Sequence, residues 1–576
     1  MQRSLGSGSL GNRLAMWRAR RAAPARGFVS QPEPRSMGLY ARGRQLVAGN
    51  FNFAGQVIEA PDTAIWDIGL EDLAAAEEMH GFDWLDDLAA LGDAGARARA
   101  QDWTWGWMAR FGAGKGPGWS PDLTGRRLIR WINHALLLLS GRDRVQSDAF
   151  YRSLSAQVVF LSRRWPHAAA GLPRFEALTG LIYAGLALTG MEARVLPAVS
   201  ALAEECSREV DALGGIPTRN PEELLEVFTL LTWAELALAE SGHRPPLALV
   251  EALERMAPCL RALRHADGGL ARFHGGGRGA EGRLDQALAV TGVRPASPKA
   301  MPALAMGFAR LGEGRTTVIV DAAQPPDARA GLSAHASTAA FELTSGRRPL
   351  IVNCGSGKTF GSEWRRAGRA TPSHSTLAID GYSSSRLRAG EGREVLVDRA
   401  EVTGLQQGQL PEGTQISIAH SGWSATHGLT HGRDLLLSPD GRKLTGFETL
   451  LAQSSAEQER FEHLLTEGRM EGVGFTLRFH LHPDVEPSLD LGGTAISLAL
   501  KSGEIWVFRH DGSTKLSLDA SVYLEKGRLK PRPTQQIVLS GRARQVQTRI
   551  GWTLAKAQDT PLAIRDLDRD DMPVPI

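Results

Sequence analysis

Cysteine is scarce in this sequence, and long apolar runs are missing. The three cysteines, Cys206, Cys259 and Cys354, lie far apart among 576 residues, and no CxxC pair occurs. This pattern excludes a disulfide framework and a zinc ribbon. No apolar stretch approaches the roughly 18 residues that a membrane-spanning helix needs, so we expect no transmembrane segment.

An excess of charge of one sign is also missing. The chain has 66 basic and 63 acidic residues, which gives a net charge of +3. A charge balance this close to zero gives no reason to expect nucleic-acid binding. The length is too great for one hydrophobic core and therefore predicts two or three domains.

Basic residues do concentrate at the N-terminus. Residues 1–36 contain seven arginines and one acid, Glu33. The Arg20–Arg21 pair is followed by AAPARGFVSQPEP and not by an apolar run, so the sequence does not support a cleaved export signal. We expect a disordered basic arm, able to touch a membrane surface, and a cytoplasmic location.

Residues 37–310 have the apolar spacing of helices. RRLIRWINHALLLLSG places its apolar residues three and four positions apart. NPEELLEVFTLLTWAELALAESG begins with Asn220, which we expect to be the N-cap, and has proline in the first turn. Short Gly- and Pro-rich breaks separate such segments, which predicts antiparallel helical hairpins that stack side by side or close into a ring.

The pattern changes to period two over residues 311–576. TTVIVDA, RPLIVNCG, STLAIDG and TQISIAHSG follow one another at short intervals, and GFTLRFHLHP alternates apolar and polar residues. Many short strands separated by turn residues indicate an antiparallel β-sandwich. Helices followed by strands, without alternation, predict an α+β protein of separate domains.

The order of the segments in the β region resembles that of the heparinase II/III family. HASTAAFEL, RPLIVNCGSG, SHSTLAIDG, THGRDLLLSPDGRKLTGFETL, RFHLHP and QQIVL follow in the family's order, and RNPEELLEV resembles its Ser-Pro-x-Tyr segment. The resemblance implies an α/α toroid over residues 37–310 and a β-sandwich over residues 311–576. It also implies β-elimination on uronic-acid polysaccharides in a cleft between the domains, a structural zinc ion, and a periplasmic or cell-envelope location.

The family's zinc ligands map only partly onto this chain. His335 and His374 match its two zinc histidines, while Asn353 stands where the family has aspartate. Cys354 beside it is a candidate third zinc ligand, since zinc accepts thiolate and imidazole together. The alternative is a pair of hydrogen-bonded histidines at a strand junction.

The family's proton-transfer groups are largely replaced. The resemblance places Ser333 at the catalytic histidine and Glu223 near the tyrosine. The group that neutralises the substrate carboxylate falls near Leu172, which leaves Arg174 and Glu176 as its polar neighbours.

The remaining candidates for chemistry come from histidines, arginines and an aromatic cluster. His335, His374 and His274 are candidate acids and bases, and the glycine-rich segment HADGGLARFHGGGRG that holds His274 is otherwise a linker loop. Clustered tryptophans either fill a core or stack on sugar rings. The candidates for substrate contact are Arg174, Glu176, Glu223, Arg272, Arg369 and Trp105.

Three functions follow from these residues. The first is a polysaccharide lyase, with Arg174, Arg272 and Arg369 neutralising the carboxylates of an acidic polysaccharide. The second is a catalytically altered or inactive family member that binds glycans at the cell envelope. The third is a glycoside hydrolase, for which Glu176 and the Glu222–Glu223 pair would supply carboxylates.

Overall fold

The computed structural model describes residues 10–30, 33–70, 72–291, 304–390, 393–528 and 530–558. Helices fill the N-terminal half, and β-strands fill the C-terminal half. We call the described residues 10–291 the helical domain and the described residues 304–558 the β domain. The predicted class, a helical toroid followed by an antiparallel β-sandwich, is confirmed.

The helical domain is a series of packed helices with one β-hairpin. Its helices are α1 (Leu10–Ala19), α2 (Tyr40–Val47), α3 (Leu73–Gly81), α4 (Asp83–Leu91), α5 (Ala94–Phe111), α6 (Pro121–Asn133), α7 (Ala135–Leu139), α8 (Arg144–Arg164), α9 (Leu172–Ala187), α10 (Val195–Glu209), α11 (Pro221–Glu240), α12 (Leu247–Ala262) and α13 (Arg283–Val290). The hairpin consists of β1 (Asn50–Phe53) and β2 (Gln56–Glu59). None of the described helices is long and apolar enough to cross a membrane.

The N-terminal segment differs from the predicted disordered arm. Residues 10–19 form helix α1, which packs on α8. Met16 and Ala19 are buried in the core of the helical domain, and Asn12 donates a hydrogen bond to the carbonyl of Trp119. The prediction of disorder is therefore wrong for residues 10–30, because Ala15, Met16 and Ala19 form one buried side of α1 that the arginine content obscured.

Helices α3, α6, α9 and α11 pack against one another in that order. The crossing of α6 and α9 is close because Gly125 and Gly180 face each other there. A Cβ on Gly180 would lie 2.5 Å from the Cα of Gly125. This contact sets the position of the N-terminal turns of both helices, which hold several of the site residues.

The β domain contains two large antiparallel sheets and a separate hairpin. Its strands are β3 (Phe308–Glu313), β4 (Thr316–Asp321), β5 (Phe341–Ser345), β6 (Arg348–Val352), β7 (Leu377–Ile379), β8 (Arg386–Gly390), β9 (Arg393–Val397), β10 (Val402–Leu410), β11 (Gly413–Trp423), β12 (Leu429–Leu437), β13 (Lys443–Leu451), β14 (Val473–Leu481), β15 (Val485–Asp490), β16 (Ala495–Leu500), β17 (Ile505–His510), β18 (Lys515–Tyr523), β19 (Arg532–Ala543) and β20 (Gln547–Gln558). Short helices α14 (Ser362–Arg369), α15 (Ser424–His427) and α16 (Ser455–Glu467) lie between strands.

One sheet has the strand order β10-β11-β12-β13-β20-β17-β16-β15, and the other has the order β18-β19-β14-β6-β5-β4-β3 with β7 also paired to β14. Strands β8 and β9 form the separate hairpin. Aromatic rings from both large sheets meet in the core, where Phe341 stacks on Trp552 at a centroid distance of 6.0 Å. The alternation read from GFTLRFHLHP matches β14, whose Phe475, Leu477 and Phe479 are buried in this core.

Candidate functional site

A cluster of three histidines lies where the helical domain meets the β domain. His274 is in the loop between α12 and α13, His335 is between β4 and β5, and His374 precedes β7. All three are buried. The backbone N–H of His335 donates to Nδ1 of His274 at 3.2 Å, and Nδ1 of His335 lies 3.0 Å from Nε2 of His374. The fold thus brings together the three histidines that sequence reasoning proposed.

The hydrogen bonds of this cluster determine where its protons sit. The Ala370 carbonyl, which can only accept, lies 2.9 Å from Nδ1 of His374, so that nitrogen carries the proton. Nε2 of His374 then accepts from Nδ1–H of His335, and Nε2 of His335 keeps a free lone pair. Burial lowers the pKa of His374 to about 4, and burial followed by the charge of His374 lowers the pKa of His335 well below its usual value. His335 is therefore a weak base at neutral pH.

Asp321, at the end of β4, anchors the cluster to the helical domain. It accepts from Arg219 Nη2 at 2.5 Å and from Ser337 Oγ at 2.6 Å, and it is fully buried. Its Oδ2 lies 3.4 Å from Nε2 of His274. Burial would raise the pKa of Asp321, but nearby positive charge lowers it, and Arg219 makes the largest lowering contribution. Sequence reasoning missed Asp321, although an acid closing the otherwise apolar strand TTVIVD is a usable signal.

The three predicted zinc ligands do not all converge, since Cys354 lies apart from the His335–His374 pair. Cys354 Sγ lies 3.5 Å from Nδ1 of His480 on β14. It is directed to His480 and away from the His335–His374 pair. Asn353 uses its side-chain oxygen to accept from the backbone of Ser375 at 2.9 Å. Among the residues that the structure describes, no group of three or more His, Cys, Asp or Glu could hold a metal ion. The side chains in this arrangement therefore do not fit the zinc site that the resemblance implies.

Two of the arginines proposed to neutralise a substrate carboxylate are buried in the β-domain side of the junction. Arg272 donates to the Asn353 carbonyl at 2.6 Å, lies 3.3 Å from Glu342, and stacks over Tyr523. Arg369 donates to three backbone carbonyls, of which the nearest belongs to Ala334 at 2.8 Å. Both side chains therefore brace loops of the β domain.

The third arginine is held within the helical domain. Arg174 lies 3.2 Å from Oε2 of Glu205 and donates to the Ala168 carbonyl at 2.9 Å. Arg208 shares the same glutamate. Like the other two, Arg174 already has acceptors within the protein.

The helical side of the junction carries carboxylates. Glu176 on α9 is buried, and its Oε1 accepts from Arg126 at 2.5 Å. Burial raises the pKa of Glu176 to about 8. Glu223 on α11 is half-buried, and desolvation followed by the charge of Glu226 raises its pKa to about 7. Sequence reasoning proposed Glu176 and Glu223 and missed Glu226.

Trp105 belongs to the packing of the helical domain. Its ring stacks on Phe150 at a centroid distance of 5.9 Å, and the guanidinium of Arg142 lies 4.7 Å from the ring centroid. Its neighbours Trp103 and Trp107 are buried in the core. The tryptophan cluster thus fills the core, as the structural alternative predicted.

Direct contacts across the junction fix the relative position of the two domains. Lys526 of the β domain pairs with Glu222 of α11 at 3.0 Å, and Arg329 pairs with Glu209 at 2.6 Å. The tip of the β1–β2 hairpin also touches the β domain, since a Cβ on Gly55 would overlap the backbone of residue 359. These contacts join α10, α11 and the β1–β2 hairpin to the β domain.

Known proteins share this architecture. The family described as heparinase II/III-like, C-terminal, matches residues 295–553. The FtsZ-localized protein C of Caulobacter vibrioides is 30% identical over 579 residues, which span 94% of this chain and 96% of that protein. The crystal structure of heparinase III has a TM-score of 0.68 at 12% identity, over 95% of this chain and 89% of that one. The heparan sulfate lyase HepC from Pedobacter heparinus has a TM-score of 0.53 at 14% identity, over 96% of this chain and 88% of that one.

Proposed function

This chain belongs to the heparinase II/III family, and from that premise we propose that it binds a polysaccharide between its two domains without catalysing β-elimination. The family's lyases must neutralise a uronate carboxylate before the C5 proton can leave. Here the region between the domains would still bind polysaccharide. The arginines that could neutralise the uronate carboxylate stabilise the folded structure instead.

The observation that carries this proposal is the engagement of all three candidate arginines. Arg272 and Arg369 are at most 7% exposed and are bonded to backbone carbonyls and Glu342. Arg174 is bonded to Glu205. Freeing such a buried group for a substrate would cost several kcal/mol, because its present acceptors would lose their partner. The low basicity of His335 supports the same conclusion.

Ultraviolet absorbance tests the absence of elimination, because a lyase leaves a conjugated double bond on the new non-reducing end. The protein would be incubated with a panel of uronic-acid polymers, with and without zinc, beside a heparan sulfate lyase as positive control. We expect no rise in absorbance with this chain. A rise that the His335→Ala variant abolishes would establish the lyase instead.

Affinity electrophoresis tests the binding half of the proposal. Native gels would contain acidic or neutral polysaccharides, and a protein without a polysaccharide site would serve as the mobility standard. We expect at least one polymer to slow this chain relative to the standard. Unchanged mobility in every gel would contradict the proposed function.

A second function is supported by the curated relative. The Caulobacter protein is described as FtsZ-localized, and its similarity to this chain extends over nearly the full length of both. We therefore also propose that this chain localises with FtsZ. This role would use the protein's outer surface and does not require a catalytic cleft.

Cosedimentation tests this second function. Purified chain would be mixed with FtsZ from the same organism and centrifuged with GTP, which polymerises FtsZ, or with GDP as the unpolymerised control. We expect the chain in the pellet only when polymers form. A chain that stays in the supernatant with GTP would contradict direct localisation with FtsZ polymers.

A further inference from the structure

Strand β10 (Val402–Leu410) is an open edge of the β domain. It lies at one end of an eight-stranded sheet, pairs only with β11, and is exposed from residue 403 to residue 410. Leu410 and Gly413 close a two-residue turn and form a hydrogen-bonded pair, so the even-numbered residues of β10 face β11 with their backbone groups. The backbone N–H and C=O groups of Leu405, Gln407 and Gln409 therefore point away from the sheet. Among the described residues, none bonds to them.

The other strands at the ends of the two large sheets carry features that discourage pairing. β15 contains Pro487 and two acids, and β18 contains a lysine and an aspartate. The edge of β3 is capped in part, because the side chain of Gln407 donates to the carbonyl of Arg310. Charge, proline and coverage are common means by which an edge strand avoids pairing with another chain. From residue 403 to residue 410, β10 has no charged residue and no proline.

Gly408 is a second sign that another backbone approaches β10. Glycine weakens the interior of a strand, and it occurs there at bulges, at bends or where another backbone comes close. The bulge of β10 lies between Val402 and Gly404, and the pairing with β11 is regular from Gly404 to Leu410. A Cβ on Gly408 would meet nothing within 4 Å, so no contact inside the described chain requires glycine. The approach of a second chain accounts for glycine at this position.

We propose that two copies of this chain associate through β10, as an antiparallel pair whose two-fold axis passes through Gln406. This register places the outward backbone groups of Leu405 opposite those of Gln407 in the second copy, and an antiparallel pair joins such groups by hydrogen bonds. The sheets of the two copies become one continuous sheet. A two-fold dimer is the commonest assembly of a chain with itself, and it needs a surface that is complementary to itself.

The side chains of β10 have this self-complementarity. The amide of Gln406 lies beside the same amide of the second copy, and a primary amide both donates and accepts hydrogen bonds. Gly404 lies opposite Gly408 of the second copy, and Val402 lies opposite Leu410, so small residues meet small residues and apolar residues meet apolar ones. Charge usually distinguishes one partner from another, and this strand has no charge with which to select a different chain.

Analytical ultracentrifugation measures the association. One pair of strands buries less area than a stable interface, so we expect a weak dimer that forms over a loading range of about 1 to 500 µM. The sedimentation coefficient of the intact chain should rise with concentration from the monomer value towards the dimer value. A chain that stays monomeric over the whole range would overturn the inference.

Two substitutions at Gln407 show whether β10 forms the interface. Gln407→Pro removes an outward N–H that makes no bond within the sheet, and it should abolish the rise in the sedimentation coefficient. Gln407→Ala is the matched control, because it loses the same side-chain bond to the Arg310 carbonyl and keeps the N–H. It should dimerise like the parent chain, and circular dichroism should show that both variants are folded. Dimers that Gln407→Pro leaves unchanged would use another surface and would also overturn the inference.

A charge exchange at Gln406 tests the two-fold axis. Gln406→Lys alone and Gln406→Glu alone place like charges opposite each other, and each should weaken the dimer about fivefold. An equal mixture of the two variants places opposite charges there and should restore the dimer, which native mass spectrometry identifies as the mixed pair. Variants that dimerise equally well alone and in the mixture would contradict an axis at Gln406.

Discussion

Asp321 holds together several polar side chains at the domain junction. Its two oxygens receive Arg219 from the helical domain and Ser337 from the β domain, and His274 lies beside them. A buried ion pair of this kind adds little net stability compared with apolar packing, but the loss of one partner leaves an uncompensated charge. The junction is therefore sensitive to the charge at this one position.

Asp321→Asn should lower the free energy of unfolding by about 3–5 kcal/mol, because Arg219 would stay buried without its counter-ion. Urea unfolding followed by circular dichroism measures this loss. Asp519→Asn, at an exposed position on β18, is the matched control and should change stability by less than about 0.5 kcal/mol. Equal stability of the two variants would contradict the role given to Asp321.

The buried histidines predict how stability depends on pH. Burial lowers the pKa of His374 to about 4, and it lowers the pKa of both His80 and His480 to about 3. Between pH 6.5 and 4 the unfolded chain binds protons at these residues and the folded chain does not, so stability falls as the pH falls. Each such histidine contributes a slope of up to about 1.4 kcal/mol per pH unit.

Urea unfolding at pH 7.5, 6 and 5 checks this dependence. We expect the free energy of unfolding to decrease at each step. The slope between pH 6 and 5 should be smaller in His480→Gln, since glutamine does not titrate. Stability that stays constant or increases down to pH 5 would contradict the assignment of neutral histidines in the folded protein.

At the scale of elements, the crossing of α6 and α9 positions the ion pair between Arg126 and Glu176. A Cβ on Gly125 would lie 2.2 Å from the carbonyl oxygen of Glu176, and Gly180 faces Gly125 directly. Only glycine permits this approach, which places Arg126 next to Glu176. The two helices cannot separate without breaking the ion pair between Arg126 and Glu176.

Gly180→Ala should destabilise the protein by about 1–3 kcal/mol, because the added methyl group must push the two backbones apart. Thermal unfolding measures this loss of stability. Gly69→Ala, where a Cβ would meet nothing within 4 Å, is the control and should leave the stability unchanged.

The sequence predicted well whether each segment forms a helix or a strand. The period of the apolar residues distinguished helices from strands, and β14 follows the alternation of GFTLRFHLHP. Helix α1 was missed because a short run with six surrounding arginines looks solvated, although Met16 and its neighbours bury one side. A local sequence pattern does not show which other helix packs on a segment, and for α1 that helix is α8.

At the scale of the whole molecule, the order of domains was predictable, and the pairing of side chains far apart in the chain was not. His335 and His374 meet as the resemblance implied, while Cys354 lies against His480, which is 126 residues away in the chain. Arg219 and Asp321 are 102 residues apart. Contacts of this range depend on how distant strands pair and on how the domains dock, and no local spacing encodes them.

The clearest test of a cleft that binds without cleaving is native mass spectrometry with defined oligosaccharides, both acidic and neutral, over a long incubation. The account predicts a complex whose mass equals the protein plus the intact oligosaccharide, with the sugar unchanged at the end. Fragments whose masses sum to that of the parent sugar would mean elimination, and fragments that sum to one water more would mean hydrolysis. Either pattern would contradict the central claim.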